Sequence, residues 1–356
     1  QLPAGTFVLS DTLELAGPIA QFPKGGPTNI ILRGGPTTLY YRGPAGKTLI
    51  DMPAPNKCVI ENLIIDADNT PGVIGIRYRG GYDRGVNGGK GNVFSNLELR
   101  RMDIGLWIGD PFGPDLVSSS FRTINISYTN VAILVEGANV STMGFYDVMI
   151  GAFSDAAIRL VGHTARRIRT GPDDVLPSEQ QLQRTPPRLV DCVTGKELFR
   201  SDVPAYALEQ RTFTRDVDGQ PQRFAGGGAP EVVFYNLMVH SKDPSTWVFD
   251  TNAGAVRVYT ARFEGAAGVL RHTAKSPASR FTDVLADVSA TTPGGLAGNV
   301  IEYHGGGPLY LIGGAFEGNI ALGQNTTVYN FGVRFHHRID HFPGLVRQDM
   351  DLQNFD

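Results

Sequence analysis

Carboxylates placed to share a proton are the first chemistry this chain offers. Asp110 and Glu136 each close an alternating segment, IGLWIGD (104–110) and AILVE (132–136). If those segments stack, the two carboxylates face each other as an acid and a base. Carboxylate pairs about 5 Å apart cleave glycosidic bonds with retention, and pairs about 6.5–9.5 Å apart with inversion. Asp66 with Asp68, Asp115, and Asp173 with Asp174 are further carboxylates to weigh, although Asp is also an ordinary turn residue. Elimination is a different chemistry. It needs a base to remove the proton beside a carboxylate and a cation to neutralise that carboxylate. Lys275 and Arg280 in HTAKSPASR (272–280), Arg271 and His163 are the candidate bases. Only this elimination route would call for Ca²⁺, and no other cofactor is implied.

Other chemistries find little support. The histidines of HHRIDH (336–341) are spaced to form a metal site only on a helix, so they are read as surface or packing residues and no metal is assigned. Cys58 and Cys192 make neither a disulfide framework nor a zinc cluster. There is no phosphate-binding loop, G-x-S-x-G or G-x-G-x-x-G after a strand. With 32 basic and 35 acidic side chains the net charge is −3, which gives no field for a nucleic-acid partner. No 18-residue apolar stretch predicts a membrane span.

The elements that must hold these residues follow from a repeat. The chain is 41% hydrophobic, and its 44 Gly and 23 Pro exceed average usage, which predicts many short strands and tight turns. Units such as VIENLIIDADNTPGVIGI (59–76) and SFRTINISYTNVAILV (120–135) recur with period-2 alternation around one small turn residue. Those turn residues are Asn62, Asn96, Thr123, Asp147, Asn236, Thr260, Asp283, Gly313 and Asn330, and their spacing returns to about 24. Three short strands per coil of that length predict an all-β chain folded as a right-handed parallel β-helix, with the small polar residues stacked at one corner.

Alternation then assigns a face. In the first strand of each coil the outward column reads Arg77, Trp107, Leu134, Arg159, Trp247, Arg271 and Glu302. Successive members sit about 4.8 Å apart along the axis. Trp107, Tyr78 and Tyr82 offer rings to a sugar, and Arg77, Arg159, Arg166, Arg167 and Arg271 offer cations to uronate or sulfate groups. Long loops at 77–91, 109–118 and 161–230 leave the same edge and are expected to build a wall. The chain is therefore read as β-helix over 1–160, an inserted lobe over 161–230 with two hairpins, further β-helix over 231–335, and a tail or cap over 336–356.

The opening LPAGTFVLSDTLEL (2–15), with the recurring xNLxI coils, resembles the pectate-lyase superfamily of single-stranded right-handed parallel β-helices. Its members include polysaccharide lyases, glycoside hydrolases, epimerases and phage tailspikes. The resemblance implies an extracellular, cell-surface or virion-borne protein that binds and degrades a polysaccharide. The arginines suggest an acidic glycan. The alternative it implies is a non-catalytic adhesion or tail module, in tailspike fashion a homotrimer. KSPASR (275–280) is similar to the R-x-P-x-x-R element of pectate lyases with Lys in first place, whereas the W-x-D-H-type element is absent. The N-T-D, D-D and G-H-G series of polygalacturonases is absent too. In such proteins an upstream segment and capping helix precede this opening. Gln1 begins directly in a strand, so an upstream segment or a capping partner is expected to cover the end.

Overall fold

The computed structural model describes residues 1–15, 29–53, 55–79, 89–110, 116–137, 140–161, 166–169, 188–191, 197–200, 212–217, 220–225, 230–241, 243, 245–251, 254–265, 268–272, 288–291, 299–303, 309–312, 314–316, 319–322, 328–331 and 334–335. Among them every regular element is a strand, and successive coils pair in parallel. The protein is a right-handed parallel β-helix. The middle coils are not chopped into separate short strands. They run as bent ribbons, Val93–Asp110, Ser120–Gly137 and Met143–Val161, whose pairing continues around the corners.

The corners explain how a ribbon bends without breaking. Asn62, Asn96, Thr123, Asp147, Asn236 and Thr260 all lie in the left-handed region, with φ from 51° at Asn96 to 59° at Thr260. Asn and Asp enter that region at the least cost among residues with a Cβ, whereas a β-branched Thr is strained there. The column is tied by its own side chains. Asn96 Nδ2 donates to Asn62 Oδ1 at 2.8 Å, and Asn236 Nδ2 donates to Asp147 Oδ1 at 2.7 Å. Asp283 and Gly313 lie outside the described residues. Asn330 is a correction: Val328–Phe331 aligns without a gap on Leu309–Ile312, which places Asn330 opposite Leu311 inside a strand. Two more left-handed columns turn the middle coils, Lys57, Gly91, Ser118 and Thr142 at one corner and Arg101, Tyr128 and Ala152 at another.

Inside the tube, like residues stack on like. Phe94, Phe121, Phe145 and Phe234 form one column with ring centroids 4.6, 4.5 and 4.6 Å apart. All four are fully buried. Between Val161 and Glu231 the chain leaves the solenoid. It forms a five-stranded antiparallel arrangement that includes the hairpins Arg188–Asp191/Glu197–Arg200 and Thr212–Val217/Gln220–Ala225. It then resumes in register, with Met143 opposite Val232 and Ile158 opposite Phe249. Residues 336–356 lie outside the described residues.

Two substitutions test this account. Phe121→Ala removes a ring from mid-stack and is expected to cost about 3–5 kcal/mol in urea unfolding. Thr123→Asn relieves a β-branched left-handed residue between Asn96 and Asp147 and is expected to stabilise by about 1 kcal/mol.

Candidate active site

The outward column of the first-strand sheet reads Glu14, Asp51, Arg77, Trp107, Leu134, Arg159, Asp250, Arg271 and Glu302 in direct register. Trp247, expected in this column, is a correction. It pairs with Ala156 and Gly268 three positions earlier and is only 8% exposed, and Asp250 takes its place. Tyr78 is a second correction. It follows Arg77 and so points inward, where it is 1% exposed against Phe94. Its hydroxyl bonds Gly89 O and Ser119 and accepts from Asn92 Nδ2. The Tyr78 hydroxyl is pushed up to about 12 by burial.

The column divides into two groups. In the first, the Arg77 guanidinium lies 4.4 Å over the Trp107 ring, and Trp107 Nε1 donates to Glu136 Oε2 at 3.1 Å. The ring face is thus already covered by a cation on one side. The Asp110–Glu136 pair is a correction. The backbone sets Glu136 against Gly109 and Asp110 against Gly137, one position out of step. The two positions are therefore not register partners.

The second group is the charge cluster. Asp250 Oδ2 accepts from Arg159 Nε at 3.0 Å and Nη2 at 2.7 Å, and Asp250 Oδ1 accepts from Arg271 Nε at 3.0 Å. Burial alone would raise the Asp250 carboxyl, but the two guanidinium groups outweigh it and hold it below the ordinary carboxylate value. Arg271 is raised in turn, chiefly by its bond to Asp250. That bond favours the protonated form of Arg271. Its guanidinium also lies 5.4 Å from the Trp247 ring centre.

A second carboxylate reaches the same cluster. Asp155 Oδ1 accepts from Arg159 Nη2 at 2.8 Å. Asp250 Oδ2 accepts from that same nitrogen at 2.7 Å, so one guanidinium group holds both carboxylates side by side. Asp155 is there because the strand bulges. Phe153 pairs with Thr129 and Ala156 with Val131, so Ser154 and Asp155 stand opposite the single residue Asn130. Bulges re-aim side chains and recur beside active sites. The sequence reading missed both Asp155 and Asp250. A signal for the bulge was present, since the unit 144–160 holds one residue more than its neighbour 120–135.

The remaining candidates separate. Asp66 is buried and bonded to Arg100 and Arg101, away from this face, and Asp68 contacts Arg101. Glu302 follows Arg271 in the column. Arg166 and Arg167 lie in a strand of the insertion paired to Gln220–Ala225, not in the first-strand sheet. Tyr82, Asp115, His163, Asp173, Asp174, Lys275 and Arg280 lie outside the described residues. Among the described residues no group of three or more His, Cys, Asp or Glu converges as metal ligands.

No protein-family model matches the chain, and no curated protein is similar to it. Among solved structures, the catalytic domain of a GH87 alpha-1,3-glucanase in complex with nigerose is similar over 98% of this chain. The identity is 10% and the TM-score 0.37, and the chain spans 63% of that neighbour's length.

The cluster makes a pH prediction. A carboxylate held below its ordinary value stabilises the fold above that value and loses the effect as pH falls through its folded value. The protein's resistance to thermal unfolding should therefore weaken below about pH 4. In Asp250→Asn this part of the slope should be missing, although the variant is less stable at neutral pH. An unchanged acid limb would show that Asp250 is not held this way.

Proposed function

We propose that the protein binds an uncharged polysaccharide along the outer face of the first-strand sheet and hydrolyses it with Asp155 and Asp250. The observation that carries this reading is the bulge that brings Asp155 onto the guanidinium already holding Asp250.

The environments suggest the roles. Asp250, 15% exposed between two arginines, is the anionic partner and attacks the anomeric carbon. Its four lone-pair sites leave room beyond the arginine bonds. Asp155, 47% exposed, carries the proton to the leaving oxygen. A water deprotonated by Asp155 then displaces Asp250 and leaves one new reducing end.

Charge favours an uncharged substrate over the acidic glycan expected from the arginines. Arg159 and Arg271 are bonded to Asp250, Arg79 is bonded to Asp51 at 2.7 Å, and Arg77 lies on Trp107. Glu14, Glu136 and Glu302 add further negative charge to this face. A polyanion would have to displace the protein's own carboxylates. The resemblance of the opening to polysaccharide-active β-helices supports the substrate class, and a secreted, cell-surface or virion setting belongs to the same reading.

A panel of neutral and acidic polysaccharides tests it, with reducing ends and the ultraviolet absorbance of unsaturated uronates followed together. New reducing ends without that absorbance are expected on a neutral glycan. Asp250→Asn and Asp155→Asn should each lower kcat by about 10²–10⁴-fold. Reducing ends accompanied by absorbance would mean elimination. Neither signal from folded protein would leave a structural or adhesion module.

A further inference from the structure

A second groove runs parallel to the axis along the asparagine corner, between the second and third strands of each coil. It encloses about 550 Å³, within the size range of ligand sites. Its floor is made by the outward corner side chains of Asn62, Asn96, Thr123 and Asp147. The bond from Asn96 to Asn62 uses one donor and one acceptor of that pair, and both amides keep hydrogen-bonding capacity beyond it. One wall is the outer face of the third strand, where Asn125 and Met149 stand in register. Met149 is 45% exposed, and Met238, its register partner in the following coil, is 38% exposed.

The ligand class follows from what lines this groove. Glu98, bonded to Arg100 at 2.9 Å, and Asp147 line it and no Lys or Arg does, so it offers a polyanion no cation of its own. The ribbon backbone is paired to its neighbours through the corner, so a peptide finds no open strand edge to extend. What remains is a row of amide, hydroxyl and carboxylate groups, one small polar residue per coil, beside the exposed Met149. An uncharged, hydroxyl-rich chain with apolar faces matches that pattern. We propose that the groove is a second binding site for a neutral polysaccharide, one that holds the polymer without cleaving it. The inference shares its ligand class with the proposed function but uses none of its catalytic residues.

Electrophoresis through gels cast with a soluble neutral glucan, galactomannan or xylan tests the site. The protein should be retarded. Met149→Arg and Asn125→Arg, which change only outer-face positions, should each weaken the retardation at least tenfold. Thermal melts would identify a variant that fails to fold, and either variant suffices if the other does. Trp107→Ala should leave much of the retardation intact. Retardation unchanged in both groove variants, or abolished by Trp107→Ala alone, would overturn the second site and leave the first-strand face as the binding surface. Absence of retardation in every gel would overturn it as well, while the reducing-end assay decides separately on the proposed hydrolysis.

Discussion

The middle coils close by leaving the right-handed half of conformational space at their corners, and the rest of the molecule depends on that constraint. A residue at positive φ turns the ribbon sharply while the backbone groups on either side keep pairing with the coils above and below. Because the corners fall at matching positions, coil after coil, the strands between them are matched too. Registered strands stack phenylalanine on phenylalanine inside and place like positions in straight columns outside. The strain at Thr123 and Thr260 is tolerated because the stacked neighbours hold the corner in place.

Columns make the outside of such a tube a linear charge problem. Neighbouring side chains lie about 4.8 Å apart, so a charge placed in one coil is felt in the next. The sequence of Arg159, Asp250, Arg271 and Glu302 alternates in sign, which turns a repulsive arrangement into a cohesive one. The same cohesion lowers the proton affinity of Asp250 and raises that of Arg271. The binding chemistry of this face is set by what the arginines already hold rather than by how many there are.

How much of this was legible in the sequence depended on whether a residue type is demanding. The asparagine corner could be read because few residues tolerate left-handed backbone and stack amides. The other two corners carry Lys, Gly, Ser and Thr, or Arg, Tyr and Ala, which share no chemical signature, so they were invisible. Period-2 alternation placed Arg77, Trp107, Leu134, Arg159, Arg271 and Glu302 in one column. It failed at Trp247, where the turn before the strand is of different length and the phase shifts. Tyr78 was misjudged for its ring, although its parity next to Arg77 already pointed it inward. Asp155 and Asp250 went unseen because a bulge and a phase shift both break the regularity that made the rest readable.

The long excursion between Val161 and Glu231 leaves no trace in the solenoid. The ring spacing from Phe145 to Phe234 across it, 4.6 Å, matches the 4.5 Å from Phe121 to Phe145 within ordinary coils. Closing so long a connection in place of a short one costs on the order of 2 kcal/mol of chain entropy, because that cost grows only with the logarithm of length. The solenoid can therefore accept, lose or exchange whole inserts at this point while its own folding stays nearly unchanged. Parts can be grafted there, whether by evolution or by an engineer, without renegotiating the core.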